Sequence, residues 1–290
     1  MPAWTAKDLP DLTGRTFIVT GANSGLGEAT TRALAEHGAR VIMACRNARK
    51  AEAVARDIPG DVAVRPLDLA DLSSVRAFAN VTGEFDVLVN NAGIMAVPKA
   101  RTVDGFESQF GTNFLGHFAL TGLLLPKLSS RVVTLASEAH RFGRIDLDDL
   151  NWHRRRYRRW AAYGQSKLAN LMFAYELDRR LRAKRSPVLS VAAHPGYAAT
   201  DLQSHTESLL DRVMAIGNRL IAQNATMGAL PTLYAATMPE VKGGEFYGPD
   251  GLGQMRGHPR KTGSTRASRD AAVSAKLWRK AEELTGVTFD

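Results

Sequence analysis

Residues 16–27 read TFIVTGANSGLG: a short uncharged apolar run, a glycine-rich turn and the start of an amphipathic stretch. The run is nearly continuous in apolar character rather than alternating, as expected of a parallel strand buried on both faces. The same unit recurs down the chain. Arg40–Ala44 (RVIMA), Val62–Leu67 (VAVRPL), Asp86–Asn90 (DVLVN), Arg131–Ala136 (RVVTLA) and Leu189–Ala193 (LSVAA) are further runs of five or six residues. Between them, Glu28–Gly38, Ala48–Ile58, Leu72–Asn80, Phe106–Leu128 and Ala161–Ala183 carry helical patterns, with Gly38 as a C-cap and Asp71 opening the third. Strand and helix in regular alternation specify an α/β fold, a doubly wound parallel sheet. No composition break interrupts it, so residues 1–290 form a single domain. After residue 196 the pattern predicts helices at Thr206–Ile221 and Ala225–Met238, a last short strand in GGEFYGPDG, an exposed loop at Gly251–Ser268 and a helix at Arg269–Leu284. The chain beyond 250 reads as a C-terminal extension.

The 290 residues carry 38 Lys and Arg against 29 Asp and Glu, a net charge of +9. At 44% hydrophobic and 23% charged, the composition excludes a disordered chain, a collagen-like fibre and a coiled coil. The single cysteine, Cys45, excludes a disulfide framework and a Cys-based zinc site, and no HExxH spacing occurs, so no metal is expected. The start MPAWTAKDLPDLTGR lacks the apolar core of a signal peptide, and no run of 18 apolar residues follows. The expectation is a cytoplasmic protein without a membrane anchor. The surplus positive charge suggests an acidic partner: nucleic acid, a membrane surface or a phosphorylated ligand.

A glycine turn between the first strand and first helix suits a pyrophosphate, which sits at the positive end of the helix. Here three residues separate the first two glycines, unlike GxGxxG. TGANSGLG resembles the TGxxxGxG signature of the short-chain dehydrogenase/reductase superfamily. Asn90-Asn91-Ala92-Gly93, Asn113, Ser137, Tyr163-Gly164-Gln165-Ser166-Lys167 and Pro195-Gly196 follow in the expected order, over roughly residues 14–250. The strings ACRN, LDLADLSSV, TNFLGHFALT and YGQSKLANLMF most resemble the retinol dehydrogenase and protochlorophyllide reductase group. The resemblance implies a Rossmann fold holding a nicotinamide dinucleotide. Its cofactor contacts would be Gly21, Asn23, Ser24, Gly25, Leu26 and Gly27 in the turn, Asp68 with Leu69 at the adenine, and Asn91, Ala92 and Gly93. Tyr163, Lys167, Pro195, Gly196 and Thr200 would complete them. An NAD enzyme places a carboxylate after the second strand to hold the ribose hydroxyls. Ala44-Cys45-Arg46 stands there instead, and Arg46 can make charged hydrogen bonds to a 2′-phosphate. NADP(H) is therefore expected over NAD(H). Asp68 also suits a plain turn role.

Tyr163 and Lys167 lie four apart on a predicted helix and so share a face. The resemblance assigns Tyr163 as general acid/base, Lys167 to the ribose hydroxyls and to tuning Tyr163, Ser137 to the substrate oxygen, and Asn113 to a proton path through Lys167. An adjacent ammonium, with an oxidised nicotinamide, would bring the tyrosine toward the working pH. His194, His140 and Glu138 are read as pocket or structural residues, and Cys45 as a small buried hydrophobe.

The 26-residue step from Ser137 to Tyr163 contains Arg154, Arg155, Arg156, Arg158 and Arg159 interleaved with Trp152, Tyr157 and Trp160. Arginine with aromatics can bind single-stranded nucleic acid, but a solvated helix start whose aromatics pack on the domain is favoured, with steering of an anionic substrate a third reading. Segments 138–162 and 197–223 are expected to cover the substrate, the second through apolar residues such as Leu209, Leu210 and Met214 at lid-helix spacing. The reading is an NADP(H)-dependent oxidoreductase acting on a lipophilic carbonyl or alcohol. A catalytically silent dinucleotide-binding regulatory or scaffold protein is the alternative. Relatives suggest a homo-oligomer.

Overall fold

The apolar runs become adjacent strands because each buries side chains on both of its faces. In the computed structural model, which describes residues 3–196 and 224–289, β1 is Thr16–Thr20, β2 Arg40–Cys45, β3 Val62–Pro66 and β4 Phe85–Asn90. β5 is Leu128–Leu135, β6 Leu189–Ala193, β7 Phe246–Pro249 and β8 Pro259–Lys261. They form one eight-stranded sheet in the order β3-β2-β1-β4-β5-β6-β7-β8, parallel except for the β7–β8 pair. Alternate residues feed two cores: Phe17, Val19, Val41, Met43, Val87 and Val89 on one face, Ile18, Ile42, Leu88 and Val132 on the other. Strands with no solvated face need no polar alternation, which is why the runs are continuous.

α1 (Gly25–Glu36), α2 (Ala48–Arg56) and α3 (Leu72–Asn80) follow the first three strands. Asp71 caps α3, accepting from the N–H groups of Ser73 and Ser74, and Gly38 sits at φ +89° just beyond α1. The stretch expected as one helix over Phe106–Leu128 is divided. α4 comprises Ser108–Phe110, a π-helical turn Gly111–Leu115 and Gly116–Leu124; Pro126 then closes it in a 3₁₀ turn, and Leu128 already belongs to β5. α5 (Arg159–Ala183) is buried from Ala162 to Asp178 on nearly every side, and α6 is Ala225–Thr237.

The chain after residue 250 is not an appendage. β8, within the stretch expected as a loop, adds to the sheet edge, and α7 (Ala271–Thr285) delivers Trp278 to a buried aromatic cluster. Trp278 stacks on Phe173 of α5 (5.7 Å between centroids) and meets Phe118 of α4 edge-on at 5.0 Å. Arginine-rich composition concealed this strand because an edge strand needs few buried side chains. The strand order turns around between β1 and β4, so their C-terminal ends open a crevice, the position where such sheets hold ligands.

Candidate active site

The glycine turn after β1 and the Asn90–Gly93 turn after β4 meet at this crevice. Thr20, the last residue of β1, is fully buried, and its hydroxyl accepts hydrogen bonds from the Asn91 and Ala92 N–H groups, both 2.9 Å. Asn91 Nδ2 in turn donates to the Thr20 carbonyl at 2.7 Å. The glycine turn and the Asn90–Gly93 turn are thereby joined. Their approach requires glycine: a Cβ on Gly21, itself at φ +64°, would stand 2.9 Å from Ala92 Cβ, and one on Gly27 would stand 2.6 Å from Asn91 Nδ2. Ser24 caps α1 without a side-chain hydrogen bond, so its own hydroxyl does not take the first N–H groups of that helix. Those donors, the positive helix end and the side-chain-free backbone at Gly25 and Gly27 fit a pyrophosphate. Arg46 is exposed directly after β2, and residues 46–50 hold Arg46, Arg49 and Lys50 with no carboxylate. Cys45 lies beneath, its thiol pushed up to about 11 by burial. Asp68 is half-buried and occupied by its own turn: Oδ1 accepts the Ala70 N–H, and its N–H donates to Ser74. Leu69 is buried against Gly116.

The catalytic candidates converge on the other side of the crevice. Tyr163 and Lys167 project from the buried face of α5, only 6% and 4% exposed. Ser137, which acts on the Tyr163 hydroxyl to lower its pKa, follows β5 and caps a 3₁₀ turn by accepting the Ala139 N–H. Lys167 Nζ donates to the Leu135 carbonyl at 3.2 Å and lies 5.8 Å from the Tyr163 ring centre. Asn113 sits in the π turn, where its side chain clasps Ile94, accepting from N–H (2.8 Å) and donating to C=O (2.9 Å), while Nδ2 also donates to Ser166 Oγ. A Cβ on Gly93 would lie 3.1 Å from Asn113 Oδ1 and 3.6 Å from Lys167 Nζ. The four side chains are thus linked in sequence: Asn113 and Lys167 across Gly93, Lys167 beside the Tyr163 ring, and Ser137 acting on the Tyr163 hydroxyl. Burial moves the two α5 groups away from their usual values in opposite directions: Tyr163 is pushed up to about 12, against a smaller lowering from Ser137, and Lys167 down to about 8. The lowering expected from the Lys167 ammonium is not among the influences on Tyr163; desolvation of the phenolate dominates and exceeds the smaller help from Ser137.

The short chain dehydrogenase family profile matches residues 15–210. This chain belongs to that family. It is 42% identical to human retinol dehydrogenase 13, over 94% of this chain and 85% of the relative, and 40% identical to mouse polyprenol dehydrogenase, over 96% and 86%. A crystal structure of an uncharacterized protein from Mycobacterium paratuberculosis is 54% identical, superimposes with a TM-score of 0.88 and covers 99% of both chains. As a short-chain dehydrogenase the chain is an oxidoreductase acting on CH–OH or C=O groups, and the cofactor of the family is NAD or NADP.

Within this short-chain dehydrogenase, the arginine-rich insert is a folded loop. Asp149 is buried and accepts from the N–H groups of His153, Arg154 and Arg155, and from Arg155 Nε at 3.2 Å. Burial would raise its carboxyl, but these donors together outweigh it and hold Asp149 below the usual carboxylate range. Trp152, at φ +53°, is buried beneath the Arg155 guanidinium, 4.0 Å from its ring, and the Tyr157 hydroxyl donates to Glu107 at 3.0 Å. Two of the three aromatics are turned inward and give no stacking platform for bases. Trp160, 49% exposed, stands edge-on to Tyr163 at 6.1 Å, and Phe142, 55% exposed, rests on Gly164.

His194 is buried and structural: Nδ1 accepts the Gly196 N–H, Nε2 donates to Gln254 Oε1 at 3.0 Å, and burial lowers it to about 4. His140 Nδ1 donates to the Ser137 carbonyl at 2.7 Å. Gly196 has φ +68°, and Pro195 precedes it after β6. Thr200 and the segment 197–223 lie outside the described residues. Among the described residues no group of His, Cys, Asp and Glu could hold a metal, and no helix is long and apolar enough to cross a membrane. In the sequence Thr20 and Ser166 are only letters of the two motifs. Their signal was present all the same: a hydroxyl at a buried strand end, or in a buried helix, must find partners.

Proposed function

We propose that this chain is an NADP(H)-dependent oxidoreductase for lipophilic carbonyls and alcohols, with Tyr163 as general acid/base. The observation that supports the reading is that Asn113 and Lys167 meet at Gly93 while Lys167 lies beside the Tyr163 ring, whose hydroxyl Ser137 acts on. A bound dinucleotide supplies or accepts the hydride at nicotinamide C4. The glycine turn and the first turn of α1 receive its pyrophosphate, and Arg46 its 2′-phosphate. Ser137 donates a hydrogen bond to the substrate oxygen and keeps it against Tyr163. In reduction Tyr163 gives its proton to that oxygen as negative charge develops there; in oxidation it takes the proton back. A phenol held at about 12 is protonated at neutral pH and ready for the first role. Lys167 lies near enough to offset the phenolate left behind, and Asn113 lines the route by which the proton is replaced.

The lipophilic substrate class rests on Trp160 and Phe142, exposed aromatics flanking Tyr163, and on the names of the relatives that act on retinol and polyprenol. The silent-scaffold alternative has no observation in its favour. Tyr163→Phe tests the mechanism directly. We expect turnover of a lipophilic aldehyde with NADPH to fall by about a thousandfold, while NADPH affinity by fluorescence titration stays within a factor of about two. A variant that keeps its turnover refutes the role of Tyr163.

A further inference from the structure

One buried titratable group beside the site has no part in the mechanism above. His117, on α4 one turn after Asn113, is 1% exposed, and both ring nitrogens have partners. Nδ1 lies 3.0 Å from the Asn113 carbonyl oxygen. A carbonyl only accepts, so Nδ1 carries the hydrogen. Nε2 is then a bare acceptor, 2.9 Å from Thr20 Oγ1, and the Thr20 hydroxyl donates to it. That leaves the Thr20 lone pairs for the N–H groups of Asn91 and Ala92. The alternative acceptor for Thr20, the Val89 carbonyl, is farther at 3.4 Å. Every polar atom of this chain of bonds is satisfied in one arrangement only. It runs from the end of β1, past the turn that carries Gly93, to the backbone of Asn113.

The π turn makes the support matter. Regular i→i+4 bonding is interrupted across Gly111–Leu115, and Asn113 lies inside that interruption. Its carbonyl is held by a side chain reaching back from the next turn. Resting on the proposed function, we infer that His117 is a positioning residue. In its Nδ1–H form it fixes the Asn113 backbone, and so the Asn113 amide and the adjoining Lys167, in register with the glycine turn. The imidazole can serve only while neutral, since a proton on Nε2 would remove the acceptor for Thr20. Burial lowers its pKa to about 4, and Lys167, the charged group acting on it, opposes protonation further.

Three variants separate this role from mere filling of space. His117→Asn keeps an N–H donor near the Nδ1 position for the Asn113 carbonyl; His117→Gln keeps a partner for Thr20 at the Nε2 position; His117→Phe keeps neither. With NADPH and a lipophilic aldehyde, kcat is expected to fall about 100-fold in His117→Phe and His117→Gln, with KM nearly unchanged, because a misplacement on the scale of 1 Å has this cost. His117→Asn should recover most of the loss. Equal activity, or equal loss, in the Asn and Phe variants overturns the inference. A measurement on the unaltered protein stands beside these should a variant fail to fold. The ¹⁵N spectrum of labelled histidine, taken with NADPH present and with the His117 ring assigned through bonds to its own backbone, should show that ring as neutral Nδ1–H from about pH 5 to 8. An Nε2–H form of His117, or its titration in the ordinary histidine range, overturns it equally. Failure of the proposed function looks different: the unaltered protein would then show the fixed tautomer yet turn over no carbonyl or alcohol substrate.

Discussion

Replacing Lys167 by methionine should stabilise this protein while silencing it. The ammonium is 4% exposed and its pKa falls from 10.5 to about 8 through burial. That difference corresponds to a folding penalty of about 3 kcal/mol at neutral pH. Methionine has nearly the same length and no charge to desolvate. It loses the hydrogen bond to the Leu135 carbonyl, worth about 1 kcal/mol, but that oxygen keeps the Asn170 Nδ2 donor at 3.0 Å. The net gain for Lys167→Met is about 2 kcal/mol at pH 7, or roughly 3 °C in Tm. Its pH dependence is specific. The unfolded chain binds the proton up to about pH 10.5 and the folded chain only up to about pH 8, so the stability of the unaltered protein rises with pH between those values. The advantage of Lys167→Met is therefore complete below about pH 8 and gone above about pH 10.5. Thermal and urea unfolding of the cofactor-free proteins across that range, with turnover measured in parallel, make the test. A variant no more stable than its parent at pH 7, or a gain that does not change with pH, refutes the argument that burial of this ammonium is a cost accepted for chemistry.

Two further expectations concern ligands. Arg46→Ala should weaken NADPH binding about tenfold, the effect of one charge-assisted hydrogen bond at an exposed position, and leave NADH binding unaltered; unchanged NADPH affinity by fluorescence titration would remove Arg46 from the cofactor site. Trp160→Ala should raise KM for long-chain or ring-bearing aldehydes about tenfold while small aldehydes are turned over as before; a parallel loss for both classes in steady-state kinetics would mean that Trp160 supports Tyr163 and does not contact substrate.

Much of the architecture was legible in local pattern. β1 and α3 occur over the residues read from the chain, Thr16–Thr20 and Leu72–Asn80, because a continuous apolar run and a well-capped amphipathic run are each decided by their own side chains. Errors fell where distant partners decide. β8 carries Arg260 and Lys261, and only pairing with β7 makes it a strand. The helix expected to continue to Leu128 ends at Pro126, and nothing in the residue types around Asn113 announces a π turn.

The candidate site divides in the same way. Residue identities along the chain determined which groups could take part: the glycines at 21, 25 and 27, the tyrosine and lysine one helical turn apart, and an arginine in place of a carboxylate after β2. Identity and spacing suffice there because each feature is local to one turn of backbone. The tertiary structure alone decided that Trp160 stays exposed beside Tyr163, that burial moves Tyr163 and Lys167 in opposite directions, and that Thr20, His117 and Asn113 share one chain of hydrogen bonds. Desolvation and tautomer depend on what surrounds a group on every side, and those neighbours arrive from strands and helices far apart in the chain.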